Sequence, residues 1–156
     1  MIDADLAAFI EGPVMMVFAA ADAAGRPMIG RATGARHTDG GEVELFVSHA
    51  RWGEVTDDLR VGAPVAVTFS RPADYRTFQV KGVLTAITPA QPADLATASN
   101  YMQAVTGSLL ELGVLQSQVD QWLACDDLIT LRFKPGATFA QTPGPGAGAP
   151  LSRPRR

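Results

Sequence analysis

A mainly β protein, an antiparallel barrel or sandwich of short strands carrying a helical insertion, is what the sequence predicts. Two observations carry this. Five runs of extended-chain formers fall between positions 14 and 87, separated by turn signals and one short helical stretch. From 92 to 124 the texture turns helical, and a last extended run follows.

In chain order, Asp3 is suited to cap a short helix carrying Leu6, Phe9 and Ile10, stopped by Gly12-Pro13. VMMVFAA (14–20) is a continuous apolar run, the pattern of a strand buried on both faces. DAAG (22–25) turns the chain into PMIGRATGAR (27–36), and TDGG (38–41) is a hairpin signal before EVELFVS (42–48). RWGEVTDDL (51–59) fits one short helix, APVAVTFS (63–70) a strand, and SRPAD (70–74) a turn. In RTFQVKG (76–82), extended through VLTAI, alternation puts Arg76, Phe78, Val80, Gly82 and Leu84 on a core face and Thr77, Gln79 and Lys81 on the other. PADLATASNYMQAV (92–105) and SQVDQWLA (117–124) read as helices with Gly107 and Gly113 as punctuation, and DLITLRF (127–133) as the returning strand. The division is a domain over 1–140 with a helical insertion at 92–124, then an irregular Gly/Pro-rich tail over 141–156.

Composition narrows the function classes. With 156 residues, 47% hydrophobic and 19% charged, the chain suits one soluble globular domain. A net charge of -3 gives no general attraction to nucleic acid or to an anionic membrane, and the basic end SRPRR (152–156) reads as a solvated tail. Cys125 is the single cysteine, which excludes an intrachain disulfide and a Cys-based metal cluster; it reads as a small buried hydrophobe. The acidic start MIDAD lacks the basic-then-apolar pattern of a signal peptide, and no apolar run approaches the roughly 18 residues of a membrane span, so a cytoplasmic location is expected.

No Walker A loop, GxGxxG or GxSxG is present, and no metal site is expected from His37 and His49, which read as rim residues. Asp57-Asp58 reads as solvated or capping. The unusual feature is arginine among small residues: Arg31 and Arg36 alternate with Gly30, Ala32, Thr33, Gly34 and Ala35. Guanidinium forks suit phosphate, and small neighbours let a flat ligand approach the backbone. SHAR adds the Ser48 hydroxyl and Arg51, just before a helix whose first amides favour an anion. Joined with the Thr77, Gln79 and Lys81 face, these residues point to a planar ligand bearing a phosphate. Solvated strand-end charge is the alternative that residue chemistry alone leaves open.

From Val14 to Ile87 the order of elements resembles the FMN-binding split-barrel proteins of the pyridoxamine 5′-phosphate oxidase-like group. The matching features are two basic residues five apart (Arg31 and Arg36), FVSHAR with Ser48 and Arg51, a strand like PVAVTF, and an Arg-to-Gly strand matching Arg76 and Gly82. The resemblance implies a six-stranded antiparallel split barrel of Greek-key type and FMN at a homodimer interface. It assigns cofactor binding to Arg31, Ala32, Thr33, Arg36, Ser48, Arg51, Trp52 and either Thr77 or Gln79, with Trp52 also suited to anchor the interface. The family's flavin-contacting glutamine falls at Thr77, with Gln79 two residues on along the same face. Arg31 and Arg36 point to opposite faces of a regular strand, so both reach one phosphate only if a bulge, as at Gly34, resets the alternation. Tyr101 is followed at the oxidase's arginine spacing by Val105, and no Arg-x-His occurs, so pyridoxamine phosphate oxidation itself is not carried over. The expectation is an FMN-dependent oxidoreductase acting on a small molecule. A non-enzymatic flavin or haem protein on the same fold is the alternative, with His37 or His49 as the histidine haem ligands available.

Overall fold

The structure is a computed structural model and describes residues 2–152. Asp3 Oδ1 accepts from the Leu6 amide and starts helix α1 (Ala4–Ile10), whose Leu6, Phe9 and Ile10 are buried. Strands β1 (Met15–Ala21), β2 (Pro27–Ala32), β3 (Ala35–His37) and β4 (Val43–Ser48) follow, then helix α2 (His49–Thr56), β5 (Pro64–Ser70) and β6 (Thr77–Pro89). Helices α3 (Pro92–Glu111) and α4 (Gln116–Trp122) precede β7 (Leu128–Ala140) and β8 (Pro150–Ser152). No helix among the described residues is long and apolar enough to cross a membrane.

All strand pairs are antiparallel, in the order β2-β1-β5-β6-β7-β4-β3, with β8 beside β7. Among the described residues eight strands therefore stand where the sequence suggests six. One addition comes from PMIGRATGAR, which breaks at Gly34 (φ +142°) into β2 and β3. The other is β8, a short strand in the Gly/Pro-rich tail. The tail's basic residues, 153–156, lie outside the described residues. At the break the chain leaves β1 and passes to β4: the Thr33 amide donates to the Phe46 carbonyl at 2.7 Å and the Phe46 amide to that of Gly34 at 3.0 Å. These two bonds close the barrel.

Inside it, Met16, Phe18, Val67, Phe69, Val80, Leu84, Leu131 and Phe133 form the core. Phe18 requires Gly30 opposite, since a Cβ there would come within 2.5 Å of the Phe18 ring. The strand buried on both faces is β4 rather than β1. In β1 only Met16 and Phe18 are buried, and Met15, Val17 and Ala19 face outward, half-exposed. In β4, Val43, Leu45 and Val47 face the core, while Phe46 packs with Ala98 of α3 and with Leu128.

Candidate functional site

Strand register defines an outer face with a definite chemistry. Arg31 lies opposite Val17, Val17 opposite Thr68, Thr68 opposite Gln79, and Gln79 opposite Phe139. Directly opposed residues of antiparallel strands project to the same side. Arg31 and Gln79 are thus two ends of one row across β2, β1, β5 and β6, about 14 Å long at normal strand spacing. The next row, Ile29, Ala19, Ala66 and Lys81, is built of small or apolar residues up to its lysine. The result is a broad floor with a guanidinium at one end and an amide at the other.

At the guanidinium end, α2 packs beside β2 and forms a groove lined by Ile29, Arg51, Trp52 and Val55 together with Glu54 and Asp57. Trp52 departs from helical geometry (φ -121°, ψ 24°) and kinks α2 there. The Arg31 guanidinium carbon sits 5.3 Å from the centroid of the Trp122 ring. Arg51 Nη2 donates to the Asp120 carbonyl at 3.4 Å. Both arginines therefore meet the last turn of α4, and among the described residues neither has a carboxylate within ion-pair distance. At the far end, Gln79 Nε2 donates to Thr68 Oγ1 at 3.2 Å, and Lys81 lies over the Phe139 ring.

The remaining residues singled out in the sequence are engaged inside the protein. Thr33 is buried, and its Oγ1 donates to the Phe46 carbonyl; Ala32 faces the core. Ser48 is buried as the cap of α2: its Oγ accepts from the Arg51 amide and donates to the Asp126 carbonyl at 2.7 Å. The His49 amide donates to the Asp127 carbonyl, so these first amides of α2 already have protein partners. Thr77 is buried beneath the tail, its hydroxyl bonded to Ser70 Oγ and the Tyr75 carbonyl, while its amide donates to Thr142 Oγ1.

Arg36 does not share partners with Arg31. It bonds Glu44 through Nε (2.9 Å) and Nη2 (2.5 Å), and Asp94 through Nη2 (2.7 Å). Arg132 donates twice to the other oxygen of Glu44, and Thr130 donates to Asp94. Burial pushes the Asp94 carboxyl up, but the Gln91 amide, Arg36 and Thr130 outweigh that and hold it below the usual carboxylate range. Two cations match two buried carboxylates, and the cluster fastens the start of α3 to β3, β4 and β7. A glutamate at the centre of EVELFV is the signal that could have found it, because a buried charge demands a partner. Trp122 and Asp120 carry no such signal, since their positions against Arg31 and Arg51 arise only from tertiary packing.

Comparison with solved structures now bears on the fold. HupZ from Group A Streptococcus aligns over 95% of this chain and 100% of its own, with TM-score 0.55 and 14% identity. An F420 reductase aligns over 84% of this chain and 93% of its own, with TM-score 0.52 and 18% identity. Rv2991, a conserved hypothetical protein from Mycobacterium tuberculosis, aligns over 88% and 82%, with TM-score 0.51 and 19% identity. The chain has the split-barrel fold. No protein-family model matches the chain, and no curated protein matches it significantly.

Proposed function

We propose that the chain is a homodimeric FMN-binding protein and a small oxidoreductase, with the ligand's phosphate held by Arg31 and Arg51. The observation that carries this reading is the outer row from Arg31 to Gln79, joined at its cationic end by Arg51. Each guanidinium offers several donors to a phosphate, and among the described residues neither is spent on an ion pair, although Glu54 and Asp57 share the groove with Arg51. Ala19 and Ala66 leave the floor flat enough for a ring system, Trp52 walls the groove, and Gln79 rather than the covered Thr77 supplies an amide to the ring edge. Bound FMN would supply the electron or hydride transfer, and the protein binds, orients and shields it. His49 does not favour haem. Both ring nitrogens of His49 are taken by carboxylates, Asp127 and Asp57, each at 2.9 Å.

The test is an absorption spectrum of the purified protein followed by titration with FMN and with riboflavin. Charge-assisted contacts contribute about 1.5–3 kcal/mol each. FMN is therefore expected to bind at least about tenfold more tightly than riboflavin. Equal affinity overturns the phosphate site.

A further inference from the structure

We infer that Trp122 is a positioning residue for Arg31 and that the last turn of α4 sets the preference for a phosphorylated ligand; this rests on the FMN reading above. An arginine can be held in two ways. Arg36 lies over the Phe46 ring, 5.4 Å from its centroid, but is also held by its edge, its N–H groups spent on Glu44 and Asp94. Arg31 lies over the Trp122 ring, with its guanidinium carbon 5.3 Å from the centroid. Contact through the π face restrains the fork without neutralising its charge, and it leaves the edge donors free for an anion.

The indole is itself anchored. Trp122 packs against the core, and its neighbours Val119 and Leu123 are buried. The segment after α4 is tied to the start of α2, because Ser48 Oγ donates to the Asp126 carbonyl and the His49 amide to that of Asp127. One turn of α4 therefore reaches both free arginines, Arg31 through Trp122 and Arg51 through the Asp120 carbonyl. The second contact is long, at 3.4 Å, and its acceptor is neutral. A phosphate oxygen makes a shorter and stronger bond and displaces it. The site so built takes a phosphate monoester on an aromatic body and gives the unphosphorylated analogue no comparable hold.

The experiment compares FMN and riboflavin dissociation constants for wild-type protein, Trp122→Leu and Trp122→Phe, with apo melting curves alongside. Trp122→Leu keeps apolar bulk and removes the π face. Its FMN affinity is expected to fall about three- to tenfold with riboflavin affinity unchanged, and Trp122→Phe to fall between it and wild type. A merely structural tryptophan would weaken both ligands together, and that result overturns the inference. Wild-type preference for FMN retained in full by Trp122→Leu overturns the inference alone, whereas wild-type protein that binds both flavins equally overturns the FMN reading as well. If Trp122→Leu does not fold, the cycle of Trp122→Phe with Arg31→Ala decides. Trp122→Phe is expected to have no effect on FMN affinity once Arg31 is gone, and an undiminished effect there overturns the assignment.

Discussion

His49 has a carboxylate oxygen on each side, Asp57 at Nε2 and Asp127 at Nδ1. A neutral imidazole has one N–H and can satisfy only one of them, so the pair of bonds calls for the imidazolium. The Asp57 bond first and the Asp127 bond second raise His49 above its ordinary value of 6.5, against a smaller opposing effect of burial. Because the folded value lies above the unfolded one, the stabilisation is fully present below about pH 6.5 and is lost as pH rises through the folded value. Melting temperatures of wild type and His49→Gln, followed from about pH 5.5 to 9, should show the wild type losing more stability with rising pH. Parallel curves would mean that the double bridge does not form in solution. The bridge joins the start of α2, its C-terminal cap Asp57, and the segment leading into β7, so its loss loosens the wall of the groove that holds Arg51 and Trp52.

Strands β6 and β7 show what a single position can demand of an element. Their register slips between Lys81 and Gly82, passing from Ala137 to Pro135 as partners, which leaves Gly136 as the extra residue of a bulge. A Cβ on Gly82 would collide with the Lys134 carbonyl, and would stand 2.7 Å from the Phe133 ring. Backbone cannot move aside as a side-chain tip does. Gly82→Ala is therefore expected to destabilise the fold by about 1–3 kcal/mol in urea unfolding. Gly107→Ala, in α3 with open space around it, should stabilise by up to about 1 kcal/mol. Equal effects of the two would refute the bulge. Gly82 was visible in the sequence as a glycine on a core face, and the six extended runs were legible from period and turn chemistry. Less visible was the covering of each strand. VMMVFAA and EVELFVS both look deeply buried, yet α3 covers the second while the outer face of the first is partly open. Arg31 and Arg36 likewise look equivalent in GRATGAR. Only the break at Gly34, which hands Arg36 to the β3–β4 hairpin, and the long-range docking of α3 give one of them to carboxylates and leave the other its donors.

Over the whole molecule, the outer face of β2, β1, β5 and β6 is the largest consequence of that uneven covering. It presents Met15, Val17, Ala19 and Ala66 half-exposed and Ile29 at 61% exposure, with Arg31 and Lys81 as its charges. A second copy laid on this face would remove the apolar area from water and enclose the floor between Arg31 and Gln79. Sedimentation at micromolar concentration is expected to find a dimer, with flavin migrating in the dimer boundary; a flavin-loaded monomer would contradict this. The closure at Gly34 has a consequence in time. Strands β2 and β3 are consecutive in the chain yet terminate opposite ends of the strand order. The hairpins β1–β2 and β5–β6 need only short loops, whereas pairing β4 with β7 must wait for α2, β5, β6, α3 and α4 to emerge between them. Loop-closure entropy places that step late and makes it slow. Until β4 meets β7, each of these strands leaves an open edge, and refolding competes with association between chains at those edges.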